Sequence, residues 1–228
     1  MNELFWVLML VANFVAIMVA FRLWGKIGLF IWIPIAVIVA NIQVTKTVVL
    51  FSFEATLGNI VYATSFLATD ILSECYGKQE ATKAVAFGFF SLVVMTLLMN
   101  IALLFRPAPS DFIDLSMKNI FALMPRIALA SLIAYLTSQL HDVYSFEFWR
   151  KKRPQLKYLW LRNNASTMVS QLIDTLIFTF IAFWGVYPKA TLIQIIISTY
   201  LLKWVVALLD TPFIYLARYW FDKKVITD

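Results

Sequence analysis

Seven long apolar runs, separated by short polar segments, set the pattern of this chain. Most of them reach the length of about 18 residues that a helix needs to cross a bilayer. The third has only about 17 residues, which predicts a tilted helix or one that begins in a re-entrant segment near residues 54–58. The pattern predicts an all-α polytopic membrane helical bundle of about seven transmembrane helices. The runs cover approximately residues 4–21, 27–51, 59–75, 82–105, 120–141, 164–184 and 190–217.

Composition excludes a soluble domain. Hydrophobic residues make up 62% of the 228 residues and charged residues only 14%, whereas soluble domains carry about 25% charged residues. The chain starts with an acidic Met1-Asn2-Glu3 instead of the basic start of a signal peptide, so we expect the first run to be a retained helix. We predict one integral membrane domain over residues 1–228, with residues 1–25 as an additional N-terminal helix and residues 27–217 as the core bundle.

The basic residues divide unequally between the two sides of this bundle. One side has only Arg106, Lys118 and Lys189, and cytoplasmic loops normally carry the excess of Lys and Arg. We therefore expect a cytoplasmic carboxyl terminus and an external amino terminus, and we attribute the net charge of +6 to topology instead of nucleic-acid binding. The rich side has thirteen basic residues: Arg22, Lys26, Lys78, Lys83, Arg150, Lys151, Lys152, Arg153, Lys157, Arg162, Arg218, Lys223 and Lys224.

Ionisable residues inside the runs are the candidate functional groups, because an unpartnered charge in a bilayer costs several kcal/mol. Two interpretations are open: ion pairs that stabilise the bundle, or a polar cavity that binds a hydrogen-bonding solute. Helical spacing favours the cavity, since at least four runs carry polar stripes. The stripes are Asn41 with Thr45; Ser131, Tyr135, Ser138 and Asp142; Thr167, Gln171, Asp174 and Phe178; and Thr199, Lys203 and Asp210. The balanced charges are Lys46, Arg126 and Lys203 against Asp70, Glu74 and Asp174.

Motifs for other chemistry are missing from the sequence. His141 is the single histidine and Cys75 the single cysteine, so we expect no metal site and no cofactor. There is no phosphate-binding GxxxxGK[ST] sequence, and no nucleophile motif accompanies the acids, so we expect neither nucleotide hydrolysis nor an enzyme.

Several sequence blocks, taken in order, resemble the queuosine precursor transporter family of vitamin-uptake-like membrane proteins. The blocks extend over nearly the whole chain, from about residue 30 to residue 217, and the first run lies outside them. They are Ala40-Asn-Ile-Gln-Val-Thr-Lys46; Phe66-Leu-Ala-Thr-Asp-Ile-Leu-Ser-Glu-Cys-Tyr-Gly77; Arg126 to Tyr135, continuing to Gln139-Leu-His-Asp142; Arg162-Asn-Asn-Ala-Ser-Thr167, continuing to Gln171-Leu-Ile-Asp174; and Lys203 with Thr211-Pro212.

The resemblance implies uptake of 7-cyano- or 7-aminomethyl-7-deazaguanine, or queuine, across the bacterial inner membrane by secondary transport. It also implies a six-helix core similar to the substrate-binding subunits of vitamin importers. The alternative is that the chain is itself such a subunit of a multi-component importer. We expect a 7-deazapurine and the lipid bilayer as partners, no nucleic acid, and either a monomer or a homodimer.

A guanine-type edge presents two adjacent N–H donors that a carboxylate can accept, and its flat ring suits aromatic walls. Asp70 is the favoured acidic ligand, while Glu74 is equally suited to a gate or to stabilising the fold. The predicted substrate-binding residues are Asn41, Tyr62, Phe66, Asp70, Glu74, Gln171, Asp174 and Lys203. Supporting or ion-pairing roles are assigned to Lys46, Arg126, Ser166 and Thr167.

Overall fold

Helices form nearly all of the computed structural model, which describes residues 1–51, 53–121, 124–185 and 188–226. A short antiparallel hairpin, β1 (Thr47–Leu50) and β2 (Phe53–Thr56), pairs Thr47 with Thr56 and Leu50 with Phe53. A single 3-10 turn, Leu156–Tyr158, precedes the sixth helix. The helices are α1 (Asn2–Gln43), α2 (Asn59–Cys75), α3 (Lys78–Ala102), α4 (Asp114–Phe121), α5 (Met124–Lys152), α6 (Leu159–Phe183) and α7 (Lys189–Asp222).

A chain reversal at Gly25 divides α1 into two limbs, residues 2–24 and 26–43. Gly25 has φ 52° and ψ −131°, a backbone conformation that residues other than glycine rarely adopt. The limbs lie in contact, since a Cβ added to Gly28 would be 2.1 Å from the carbonyl oxygen of Ala20. The first limb therefore returns the amino terminus to the hairpin, where Nδ2 of Asn2 donates to the carbonyl of Val49 at 3.0 Å.

The central element is α2, which is surrounded by α1, α3, α5 and α7. Every residue from Ile60 to Glu74 except Tyr62 is buried. Many of these residues are Ala, Ser or Thr, and small side chains let neighbouring helices approach closely in membrane proteins. The short predicted third run thus forms the middle of the bundle, and its predicted limits of 59–75 agree with the observed helix.

Basic side chains gather at the end of the bundle away from the hairpin. Lys26 pairs with Glu80 at 3.3 Å, and Arg218 reaches Glu74 at 3.4 Å. We call this the basic end, defined by residues 22–26, 74–83, 150–162 and 218–224. The opposite end, with the amino terminus and residues 44–58, is called the hairpin end.

The predicted all-α membrane bundle is confirmed. Four helices in the described part of the chain are long and apolar enough to cross a bilayer, and α4 with α5 gives a fifth if the two form one span. The two limbs of α1 correspond to the first two predicted runs. Trp6, Leu10 and Phe14 of the first limb belong to the same apolar core as the other helices.

Three predicted boundaries are wrong. The second run was expected to remain helical to residue 51, but α1 ends at Gln43 and residues 47–56 form the hairpin. Lys46 therefore lies in an exposed turn segment and not inside a helix. The predicted long loop from Ser145 to Arg162 is mostly helical, because α5 extends to Lys152 and α6 begins at Leu159.

Candidate functional site

A cavity of about 350 Å³ opens near the hairpin end of the bundle, between the second limb of α1 and helices α2, α5, α6 and α7. Its wall combines apolar, aromatic and hydrogen-bonding groups with one acid and one base. The lining residues are Ala40, Asn41, Val44, Gly58, Asn59, Tyr62, Ser131, Asp174, Phe178 and Lys203.

Asp174 is the polar centre of this cavity. Its Oδ1 accepts hydrogen bonds from Tyr62 Oη at 2.7 Å and from Ser138 Oγ at 3.2 Å. Its Oδ2 forms an ion pair with Nζ of Lys203. Both charged side chains are only 3–4% exposed, so each depends on the other for compensation of its charge. The ammonium group of Lys203 also lies 5.2 Å from the ring centre of Tyr62.

The second limb of α1 contributes a buried acceptor to the cavity wall. Nδ2 of Asn41 donates to the carbonyl of Val37 at 2.9 Å, while its Oδ1 is buried and accepts no hydrogen bond from the described residues. Buried amide oxygens usually have a donor, which makes this atom a candidate contact for a ligand N–H group. The limb approaches α2 closely, because a Cβ on Gly58 would lie 2.2 Å from the carbonyl oxygen of Ala40.

Aromatic rings form two sides of the cavity, Tyr62 from α2 and Phe178 from α6. Phe66 was predicted to share this role, but it is fully buried behind Tyr62, with ring centres 6.0 Å apart and nearly perpendicular planes. It supports Tyr62 and is not a lining residue. Tyr135 contacts the other side of Tyr62, with ring centres 5.8 Å apart.

Asp70 and Gln171 lie deeper than the cavity. Asp70 is 1% exposed and its Oδ2 accepts a hydrogen bond from Thr167 at 3.2 Å. Gln171 is also 1% exposed, and neither atom of its amide group has a hydrogen-bond partner among the described residues. The structure thus separates these two predicted ligands from Asp174, Lys203, Tyr62 and Asn41, which it brings together.

Glu74 lies at the basic end and joins two helices. Its Oε1 is 2.8 Å from the guanidinium of Arg162 on α6 and 3.4 Å from that of Arg218 on α7. Arg162 is almost completely buried and also donates to the carbonyls of Arg153 and Pro154 at 3.0 Å. The sequence left three roles open for Glu74, those of substrate ligand, gate and fold-stabilising partner, and these contacts favour the last.

The predicted supporting residues have separate positions. Arg126 is exposed and donates to the carbonyls of Ile181 and Trp184, so it caps the end of α6 and makes no ion pair among the contacts of the described residues. Lys46 is exposed at the hairpin end. Ser166 donates to the carbonyl of Arg162 at 2.8 Å, next to Thr167, which holds Asp70.

Several groups in the site were outside the predicted set. Asn59 lines the cavity and donates to Thr199 Oγ1 at 3.4 Å, and its position three residues before Tyr62 on one helix face was the available signal. Ser138 and Ser131 were part of a predicted polar stripe without an assigned role. Arg162 was treated as a loop charge, and no local pattern indicates its ion pair with Glu74.

Comparison with known proteins gives a family match and curated relatives. The family described as "Putative vitamin uptake transporter" matches residues 56–217. A protein of Bacillus subtilis (strain 168) named "Probable queuosine precursor transporter" is 47% identical over 217 residues, which is 95% of this chain and 95% of that protein. The "Queuosine precursor transporter" of Escherichia coli (strain K12) is 32% identical over 148 residues, covering 64% of this chain and 62% of its own.

A "Probable queuosine precursor transporter" of Haemophilus influenzae is 33% identical over 135 residues, covering 59% of this chain and 54% of its own. No solved structure matches the chain.

Proposed function

Because the chain belongs to the queuosine precursor transporter family, we propose that it imports 7-cyano- or 7-aminomethyl-7-deazaguanine across the bacterial cytoplasmic membrane by secondary transport. The observation that carries this proposal is the buried Asp174–Lys203 pair in the wall of a cavity with aromatic sides. A flat base with a donor-rich edge is complementary to such a site.

Asp174 recognises the guanine-type edge of the base in this proposal. A carboxylate has about four lone-pair positions, and three of those on Asp174 are occupied by Tyr62, Ser138 and Lys203. One N–H of the base binds at the fourth. The neighbouring N–H donates to Oδ1 of Asn41, which has no donor within the described chain.

The ring of the base lies between aromatic and amide groups. Tyr62 and Phe178 provide the faces against which it stacks. Lys203 pairs with Asp174 and lines the cavity, so that its ammonium group can donate to the ring carbonyl. Asn59 lines the same wall and offers a second amide.

The hairpin end faces outside and the basic end faces the cytoplasm in this proposal, as the distribution of Lys and Arg favours. The cavity then receives substrate from outside, while Glu74, Arg162 and Arg218 close the cytoplasmic side. The whole chain acts as one transporter domain. The cavity is built from a single chain, so the proposal requires neither a homodimer nor an enzymatic step.

Uptake by cells that cannot make the precursor tests this function. Such cells, expressing the protein and supplied with a low concentration of external precursor, should form queuosine in their tRNA. Asp174→Asn should reduce this at least tenfold at equal protein level in the membrane. Asp114→Asn changes an acid that pairs with Lys118 on α4, away from the cavity, and should have no effect. Unchanged uptake by Asp174→Asn would refute the site.

Binding by the purified protein tests the substrate class directly. Thermal unfolding in detergent is measured with 7-cyano-7-deazaguanine, 7-aminomethyl-7-deazaguanine, queuine and guanine. Stabilisation by the 7-substituted bases that exceeds stabilisation by guanine supports the proposal. No stabilisation by any of the four would contradict it. Uptake by the purified protein in lipid vesicles, without any partner, would exclude the alternative of a subunit in a multi-component importer.

A further inference from the structure

Three carboxyl groups lie together in the bundle between the cavity and the basic end. We call them the carboxyl cluster: Asp70 on α2, Asp142 on α5 and Asp210 on α7, each at most 1% exposed. Asp70 and Asp142 are within hydrogen-bonding reach of each other, and Asp210 is near enough to both for electrostatic interaction. The cavity contacts described above do not involve these groups.

Basic groups near the cluster have other partners. The two buried cations in the described part of the chain are Lys203, which pairs with Asp174, and Arg162, which pairs with Glu74. Among the other charged or titratable groups on the elements around α2, Lys26 on α1 and Lys83 on α3 pair with Glu80, and Arg150 on α5 pairs with Glu147. Arg218 on α7 pairs with Glu74 and Asp222, and His141 on α5 contacts Ser170. Three neighbouring carboxylates without a counter-charge are strongly disfavoured in a bilayer.

Three hydroxyl groups lie beside Asp142, those of Ser166, Thr167 and Ser170, and Oγ of Ser170 contacts Nδ1 of His141 at 2.8 Å. The hydroxyl of Ser166 donates to the carbonyl of Arg162 at 2.8 Å, and that of Thr167 donates to Asp70 at 3.2 Å. Neither oxygen of Asp142 accepts a hydrogen bond from an N–H or O–H group of the described residues. A proton between Asp70 and Asp142 would supply the missing donor and remove one negative charge.

Two buried amide side chains near the carboxyl cluster also have polar atoms without a hydrogen-bond partner among the described residues. Asn163 is fully buried and its Nδ2 donates to Asp210 at 2.6 Å, but its Oδ1 has no donor among the described residues. Gln171 lies on the face of α6 between Thr167 and Asp174, and its entire amide is buried without a partner. Its position connects the carboxyl cluster with the substrate cavity.

We infer that the carboxyl cluster is a proton-binding site, in which Asp70 and Asp142 share one proton that is carried inward together with the substrate. This inference rests on the proposed transport function and supplies its driving force. A metal ion is a poorer occupant, because no group of three or more His, Cys, Asp or Glu side chains in the described ranges is arranged to hold one.

His141 provides the route by which this proton leaves the cluster. It is partly exposed, and its Nδ1 is 2.8 Å from Oγ of Ser170, whose hydroxyl lies beside Asp142. Gln171 is placed to link the cluster to the substrate, because it lies between Thr167, which holds Asp70, and Asp174, and both atoms of its buried amide lack a partner among the described residues. Binding of the base at Asp174 is thereby coupled to protonation of Asp70 and Asp142.

Proton coupling can be measured separately from substrate transport with the purified protein in lipid vesicles. Potassium and valinomycin clamp the membrane potential in this experiment. The substrate is 7-cyano-7-deazaguanine, which is uncharged, and an enclosed pH-sensitive dye reports proton entry. Exchange of labelled for unlabelled substrate measures transport without net proton movement. The wild-type protein should show exchange, and external substrate should acidify the vesicle interior.

Asp142→Asn should reduce this acidification at least tenfold while exchange falls no more than about threefold. Asp210→Asn serves as a second variant in case the first does not fold, and Asp114→Asn is the surface control. Wild-type exchange without acidification, or uptake that follows a sodium gradient instead, would overturn the proton site and leave the transport function intact. Absence of wild-type exchange would overturn the transport function itself.

Discussion

Tyr62 on α2 and Asp174 on α6, 112 positions apart in the chain, are joined by a hydrogen bond of 2.7 Å at the wall of the cavity. The bond connects the central helix to the acid that we propose recognises substrate. Tyr62 therefore has two roles in the site, because its ring faces the cavity and its hydroxyl orients Asp174.

Tyr62→Phe should weaken both stability and uptake. A hydrogen bond to a charged acceptor contributes about 1.5–3 kcal/mol, and Asp174 would keep its contacts with Ser138 and Lys203. We expect a lower unfolding temperature in detergent and a KM for uptake raised about tenfold, the equivalent of about 1.4 kcal/mol. Tyr135→Phe is the control variant for the stability measurement. It should lower the unfolding temperature less, because the buried hydroxyl of Tyr135 has no partner among the described residues. An equal loss of stability in both variants would contradict the assigned hydrogen bond.

Lys203→Met should destabilise the protein by about 3–5 kcal/mol, since it leaves Asp174 buried and charged without its partner. The double variant Lys203→Met with Asp174→Asn should recover most of that stability, because neither charge is then present. Uptake should be lost in Lys203→Met and in the double variant. Thermal unfolding and uptake measured on the two single variants and the double variant check this, and a double variant as unstable as the sum of the singles would show that the two groups are independent.

Glu74→Gln should destabilise the basic end. Arg162 is 1% exposed, and removal of its charged partner leaves a buried guanidinium uncompensated, at a cost of about 3 kcal/mol. Glu80→Gln removes an acid whose partners, Lys26 and Lys83, have side chains that are 40% and 59% exposed, and should have little effect. Limited proteolysis at the connection between α5 and α6, residues 153–158, should accelerate in the first variant only. Equal cleavage rates in the two variants would argue against Glu74 as the residue that joins α6 and α7.

Gly58→Ala should disturb the cavity through the backbone. The added Cβ would lie 2.2 Å from the carbonyl oxygen of Ala40, so the second limb of α1 must move and displace Asn41. Gly28→Ala introduces a comparable clash with Ala20 at the basic end, away from the cavity. Both should lower the unfolding temperature, but the KM for uptake should rise only for Gly58→Ala. A similar rise in both would mean that the effect comes from stability alone.

The apolar pattern was sufficient to predict the helices that the bilayer requires. The limits of α2 followed from its run, although α2 has only 17 residues and is shorter than the candidate spans, because the polar residues at Asn59 and after Cys75 mark its ends. The hairpin was missed because residues 47–51, which include its first strand, continue the apolar run that begins at residue 27. A short apolar segment has no periodicity that separates a strand from a helix.

The site was predictable in part. Asp174 and Lys203 were recognised as deep charges that need partners, and they are each other's partner. Asp70 and Glu74, which lie on one helix face at four-residue spacing, were also predicted to bind substrate, with Asp70 as the favoured ligand and Glu74 equally suited to a gate or to stabilising the fold. Their different surroundings depend on α5, α6 and α7, which bring arginines to Glu74 and further acids to Asp70. Such long-range neighbours leave no local trace in the sequence.

In the orientation that we propose, the reversal at Gly25 places the two ends of the chain on opposite faces of the membrane. Residue 2 contacts the hairpin, whereas Arg218 of the last helix contacts Glu74 at the other end. A fluorescent or enzymatic reporter fused before the first limb and one fused after α7 would therefore report on different compartments. Without the first limb, both reporters would give the same signal.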